Sequence, residues 1–290
     1  MKGISLTFVP FVAIFFFSAF ASADETKPTA ILGAFDPEVK LLQGRLRNAK
    51  AVHIRGIAFH VGTLEGKNVI LALTGVGKVN AAMTTTLLID HFKPKEVIFT
   101  GISGGLNPKL LPGDIVIGRS VSHHDYGLVT DEGMQNGSPR NPIDGKRNPI
   151  HIPSDPKLLT IARQAAKNVR FEEIRINGQT RLPAASTGVV GTGDVFVASA
   201  RAKADIRRRV QADVVEMEGA AVAQVCYQLK TSFLIIRSVS DLADKHAEQD
   251  MDKFYKTAAN NSAKLVVEIV KQLVNENKEE KSEKNTKKEN

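Results

Sequence analysis

Val214-Val215-Glu216-Met217-Glu218, running into Gly219-Ala220-Ala221-Val222-Ala223, and Phe233-Leu234-Ile235-Ile236-Arg237-Ser238-Val239-Ser240-Asp241 decide the reading of this chain. Each is a β-branched, apolar run that stops at a carboxylate, the pattern of a buried strand delivering side chains to one edge of a sheet. In open α/β sheets, ligands sit at the carboxyl ends of the strands. Partly desolvated carboxylates there can be tuned apart in pKa for acid and base work. A helix cap or a surface acid would leave the same trace, so the rest of the chain has to decide.

Apolar runs alternate with helical patterns on both sides of this segment. Ala30–Ala34 reads as a strand, and Pro37 then suits the first turn of a helix through Val39, Leu41, Leu42 and Leu46. Strands near Ile57–Val61 and Val69–Leu73 flank the turn Glu65-Gly66-Lys67-Asn68 as a hairpin. Further strands are expected at Glu96–Thr100 and Asp114–Gly118. Helices are expected at Val79–Phe92, Pro156–Val169, Ala200–Val210, Gly219–Leu229 and Lys253–Val274. This order predicts an α/β fold: one mixed, mostly parallel, twisted sheet covered on both faces. Residues 24–274 form a single domain in this reading. Asp131 to Pro153, rich in Gly, Pro, Asn and Arg, is expected to be a long inserted loop.

The ends read differently. Lys2, the apolar stretch Phe8–Phe17 and the small-residue site Ala21-Ser22-Ala23 predict a secretory signal peptide over residues 1–23, with the mature chain starting at Asp24. That places the protein outside the cytoplasm, periplasmic or secreted, without stable membrane insertion. Residues 275–290 carry almost nothing but charged and polar side chains and are expected to be a disordered tail. The sole cysteine, Cys226, lies in an apolar helical stretch and reads as a buried, inert thiol. The net charge of +8 includes a basic patch at Arg201, Lys203, Arg207, Arg208 and Arg209. Without interleaved aromatics it reads as a solvated helix face rather than a nucleic-acid surface.

Gly75-Val76-Gly77-Lys78-Val79-Asn80 follows a strand and opens a helix, yet it lacks the third glycine of a dinucleotide fingerprint. Val79 stands where a phosphate loop needs Ser or Thr. The seven histidines show no metal spacing; His124 and Asp125 are expected to order the long loop. Thr100-Gly101-Ile102-Ser103-Gly104-Gly105 reads as a second glycine turn after a strand, where backbone can approach a ligand.

Taken in order, Ile31–Val39, Thr74–Val79, Thr100–Leu106, Pro112–Val116, Gly193-Asp194-Val195-Phe196, Val215–Glu218 and Ser238–Asp241 resemble the 5′-methylthioadenosine/S-adenosylhomocysteine nucleosidases of the purine nucleoside phosphorylase superfamily. The resemblance covers about Ala30 to Val274. It implies a three-layer α/β/α sandwich of the nucleoside phosphorylase type, a homodimer, and a small-molecule nucleoside substrate, with no metal or organic cofactor. It implies Asp241 as general acid at adenine N7 and Glu38 as the residue that activates water. Glu218 would grip the ribose and Met217 would pack on the sugar. Phe196 would stack on the purine, the Val197 backbone would read its polar edge, and Ser240 would steady Asp241. Gly101 and Ser103 would border the substrate. Phe254 would line the 5′ pocket or anchor the last helix. In the family a shorter segment replaces the long loop and helps form the 5′ pocket across a dimer contact.

Two enzyme alternatives stay open, a phosphorylase and a hydrolase of another nucleoside, beside a non-catalytic exported binding protein. Family phosphorylases hold phosphate with arginines near the first-strand turn and before the central glycine. Here those regions read Gly33-Ala34-Phe35-Asp36-Pro37-Glu38 and Phe99-Thr100-Gly101.

Overall fold

The computed structural model describes residues 27–289 apart from Asn177, with side chains described through residue 276. The expected signal peptide lies outside the described residues. The first half of the chain forms β1 (Thr29–Gly33), α1 (Asp36–Arg45), β2 (Arg47–Ile54), β3 (Ile57–Leu64), β4 (Lys67–Leu73), α2 (Lys78–Phe92), β5 (Glu96–Gly105), β6 (Ile115–His123), β7 (Gly127–Thr130) and β8 (Gly133–Asn136). It continues through β9 (Ile152–Pro153), α3 (Pro156–Asn168), β10 (Ile174–Ile176), β11 (Gln179–Arg181), β12 (Ala185–Thr192), α4 (Ala200–Val210), β13 (Val214–Glu216), α5 (Gly219–Gln228), β14 (Ser232–Asp241) and α6 (Ala247–Glu289).

One mixed sheet runs β13-β12-β6-β14-β5-β1-β4-β3-β2. The pairs β1–β4, β1–β5, β14–β5, β12–β6 and β12–β13 are parallel, as buried β-branched strands joined by helices require. Val39 and Leu42 of α1, Leu158 and Ile161 of α3, and Leu265, Val266 and Ile269 of α6 cover one face. Ala81 and Leu88 of α2 and Ala220–Ala223 of α5 cover the other. The result is the expected three-layer α/β/α sandwich.

At one side the sheet closes on itself. β13 pairs parallel with β12 and antiparallel with β5, through Val214 opposite Gly105 and Val215 opposite Gly104. The strands β5, β14, β6, β12 and β13 therefore form a small barrel. Closure explains why Gly101–Gly105 is strand rather than the expected glycine turn: β14 pairs it on one side and β13 on the other. β6 likewise continues to His123, carried by its pairing with β12.

Four other segments depart from the sequence reading. β12 was not expected, because Gly188, Gly191 and its Ser and Thr residues dilute the apolar pattern. β2 is an edge strand exposed along its length, so it carries no burial pattern to read. The stretch Asp131–Pro153 contains β8, a turn at Asn141–Gly145 and β9, which pairs with β6. α6 also continues to Glu289 through the segment expected to be disordered. Glu and Lys are strong helix formers, so a helix can extend there on propensity alone.

The basic patch on α4 is largely used inside the molecule. Arg207 binds Asp213 and the Ala212 carbonyl, and Arg209 binds Asp205, the His124 carbonyl and Asn136. Lys203 donates to the Leu242 carbonyl at 2.7 Å. Cys226 is fully buried, which raises its thiol pKa and keeps it inert, as expected.

Candidate active site

Glu38 lies in the first turn of α1, where acidic residues are favoured by the exposed N–H groups. It is buried and turned back toward the end of β1. Its Oε2 accepts from Ala34 N–H at 2.5 Å and its Oε1 from Ile102 N–H at 3.0 Å. It can occupy this position only because residue 101 is glycine: a Cβ there would stand 2.3 Å from Glu38 Oε1. Gly101 thus acts by admitting Glu38 beside the strand. Burial raises the Glu38 pKa, offset in part by the Arg237 charge and by these N–H donors.

Glu218 ends the turn after β13 and precedes α5. Its Oε1 accepts from Gly77 N–H at 2.8 Å. Burial first, and then the neighbouring Glu216, push its pKa up to about 8 against the pull of Arg237 and Gly77. Glu216 is held by Thr192, by the backbone N–H groups of Glu218 and Gly219 at 3.1 and 2.8 Å, and by Arg237 Nη2 at 2.5 Å.

Arg237, in the middle of β14, is the functional residue that sequence reasoning missed. It is only 1% exposed. Its guanidinium carbon sits 4.2 Å from the centre of the Phe99 ring, and Nη2 lies 4.0 Å from Glu218 Oε2. One cation therefore serves Glu216, Glu218 and, at longer range, Glu38. A charged residue inside a run otherwise apolar, Leu234-Ile235-Ile236-Arg237, was the available signal, since buried charges need partners.

Asp241 ends β14 and is 2% exposed. Ser240 Oγ donates to its Oδ2 at 2.7 Å and Ala243 N–H to its Oδ1 at 2.9 Å. Burial raises the Asp241 pKa despite both donors, with Asp250 and Asp244 adding to the rise. Ser240 also lies 3.3 Å from the Ser103 carbonyl, while Ser103 Oγ is buried without a partner among the described residues.

A small cavity of about 30 Å³ opens beside Asp241, bounded by Gly104, Phe196, Val197, Val215, Glu216 and Met217. Of the expected substrate-binding residues, Phe196, Val197 and Met217 thus meet the acid. Phe254 does not line this cavity; it is buried on α6, with Lys253 Nζ 4.8 Å from its ring centre. A much larger open groove of about 1050 Å³ lies elsewhere, along Arg163, Lys167, Leu182 and Ser186. It holds none of the carboxylates described here, so size is a poor guide to the chemistry. Asp125 departs from its expected role in the long loop: it faces Lys78 and Asp194. Among the described residues no group of three or more His, Cys, Asp or Glu could hold a metal ion.

Buried carboxylates of raised pKa at the carboxyl ends of β14 and β13, beside a cavity walled in part by Phe196, mark the site of an α/β enzyme equipped for proton transfer. A profile of the phosphorylase superfamily matches residues 28–271. A 5′-methylthioadenosine/S-adenosylhomocysteine nucleosidase from Bacillus velezensis is 38% identical over 84% of this chain and 98% of its own length. The crystal structure of the Neisseria meningitidis nucleosidase of that name, in complex with methylthio-immucillin-A, is 42% identical. It covers 85% of this chain and 99% of its own, with a TM-score of 0.74. The Colwellia psychrerythraea nucleosidase, in complex with adenine, is 36% identical, covers 86% and 96%, and has the same TM-score. The chain belongs to the phosphorylase superfamily and, within it, to the family of 5′-methylthioadenosine/S-adenosylhomocysteine nucleosidases.

Proposed function

We propose that this protein hydrolyses the N-glycosidic bond of 5′-methylthioadenosine, S-adenosylhomocysteine or a related 5′-substituted adenosine, releasing adenine. The observation that carries the proposal is the pairing of a buried acid, Asp241, with a second buried carboxylate, Glu38, held on two sides by backbone N–H groups. Burial raises the Asp241 pKa and so favours its protonated form, and Asp241 gives that proton to N7 as the bond from C1′ to N9 breaks. The adenine leaves neutral. Water adds to C1′ and passes a proton to Glu38, whose raised pKa makes it the stronger base. Positive charge develops on the ribose during this step, and the surrounding carboxylates favour it. The arrangement parallels an inverting glycosidase.

Water rather than phosphate is the acceptor in this reading. Arg237, the one arginine at the site among the described residues, is already paired with Glu216 and stacked on Phe99. A buried dianion beside Glu38, Glu216 and Glu218 would find no free cation among the described residues, at a cost of several kcal/mol. Adenine release from methylthioadenosine, homocysteinyl-adenosine and adenosine, side by side in phosphate-free buffer, tests this. Full activity without phosphate and a free ribose product are expected. Strict dependence on phosphate, with ribose-1-phosphate as product, would overturn the hydrolase in favour of the phosphorylase.

The active form proposed is an exported homodimer. Val76 just before α2, Val79 and Met83 within it, and Leu128 and Val129 on β7 are large apolar side chains left exposed. Light scattering checks the dimer, and the intact mass of the exported protein checks cleavage before Asp24.

A further inference from the structure

Asp125, Lys78 and Asp194 have no place in the chemistry above, yet they join two pieces of backbone that do. Lys78 Nζ donates to Asp125 Oδ1 and Oδ2 at 2.7 and 2.8 Å. Asp125 Oδ2 also accepts from Asp194 N–H at 2.9 Å. Asp194 Oδ1 accepts from Lys78 N–H at 2.7 Å and so caps α2. The three residues form a closed ring of contacts. Its ion pair is shielded, with the Lys78 and Asp125 side chains 21% and 25% exposed. Burial alone would raise the Asp125 pKa, but the Lys78 and Asp194 hydrogen bonds hold it below its ordinary value.

Both sides of the ring lead to the site. Gly77, directly before Lys78, has φ +95° and gives its N–H to Glu218. A Cβ at Gly77 would approach Asp194 Oδ1 to 3.3 Å. On the other side, Phe196 and Val197 follow Asp194 by two and three residues and wall the cavity at Asp241. Gly193 gives this loop its path: a Cβ there would stand 2.3 Å from the His124 ring.

We infer that Lys78, Asp125 and Asp194 form a positioning clamp that fixes the distance between the ribose-side turn at Gly77–Glu218 and the base-side wall at Phe196–Val197. The inference rests on the proposed nucleosidase reading, because only a ligand spanning both sides feels their separation. A misplacement of about 1 Å at such a distance can cost on the order of 10²-fold in rate.

Hydrogen exchange, kinetics and ligand binding of the full chain test it with Asp125→Ala, Asp194→Ala and Asp194→Asn. Asp125→Ala is expected to speed exchange at residues 75–79 and 193–197 and nowhere else. It should lower kcat by roughly 10- to 100-fold. Methylthio-immucillin-A, a nucleoside analogue bound by the Neisseria relative, should bind at least about tenfold more weakly, while adenine alone binds within about twofold of wild type. Asp194→Asn, which keeps the acceptor for Lys78 N–H, should recover most of what Asp194→Ala loses. Unchanged exchange in both segments, or equal weakening of the analogue and adenine, would overturn the clamp. If the wild-type protein releases no adenine from any nucleoside, the proposed function fails, and the exchange result still decides whether the clamp exists.

Discussion

The two ends of β5 and β14 carry buried charge in opposite ways. At their amino ends Glu96 lies opposite Ser232 and meets Lys67 at 3.6 Å, with Thr29 donating to the same carboxylate. One anion faces one cation. At their carboxyl ends Glu38, Glu216 and Glu218 share the guanidinium of Arg237, while Asp241 borders the same cavity as Glu216 and feels the charge of Lys203. Burial is the main cause that raises the pKa values of Glu38, Glu218 and Asp241 there; Glu216 adds to the rise at Glu218, and Asp250 and Asp244 to the rise at Asp241. The balanced pair is suited to holding strands together. Desolvation at the other end favours the protonated carboxyls, which suits the acid catalysis proposed for Asp241.

The largest expected effect comes from removing the Asp241 proton. Asp241→Asn should lower kcat by roughly 10²–10⁴-fold with substrate binding largely kept, because Asn can hydrogen-bond to N7 but cannot protonate it. A normal kcat would remove Asp241 from the mechanism. Next come the cations. Arg237→Met and Lys67→Met each strand a buried carboxylate, and each should destabilise the fold by about 3–5 kcal/mol in denaturant melts. Only Arg237→Met should also abolish turnover of the folded fraction; equal activity losses would erase the distinction between the two ends.

Gly101→Ala probes how closely the site is built. The added methyl must displace Glu38, so adenine release should drop about 10- to 100-fold while the melting temperature shifts by only a few degrees. Activity close to wild type would mean that Glu38 has room to spare.

The last test reads stability against pH, not activity. In the unfolded chain Glu218 titrates near its ordinary 4.5, and in the folded protein near 8. Between these values the folded state binds more protons than the unfolded one, so stability falls as pH rises. The contribution is complete below about 4.5 and lost by about 8. Glu218→Gln should flatten the fall in melting temperature between pH 5 and 8.5, and an unchanged slope would place the titration elsewhere. Glu38 and Asp241 act in the same direction, so some slope persists.

How much of this was legible in the residues varies by element. The runs ending at Glu216 and Asp241, the Pro37 helix start and the motif order were enough for the sandwich and its carboxylates, because burial on both faces leaves an uninterrupted apolar signature. β12 and β2 left none, one being rich in small polar residues and the other exposed. Arg237 was in plain view within its strand but had no role until Glu216 was seen beside it.

By itself, then, the sequence determined the strand and helix alternation and the acids at strand ends, but not what the glycines of Gly101–Gly105 make room for. The alternation and the acids are local properties of side-chain shape and polarity. The closure of β13 onto β5 was decided only in three dimensions, as was the sharing of one arginine among several carboxylates. So was the ring joining Lys78, Asp125 and Asp194, whose members are 47, 69 and 116 residues apart. Such contacts follow from how packed layers meet, and no periodicity along the chain encodes which distant charges will share a desolvated space.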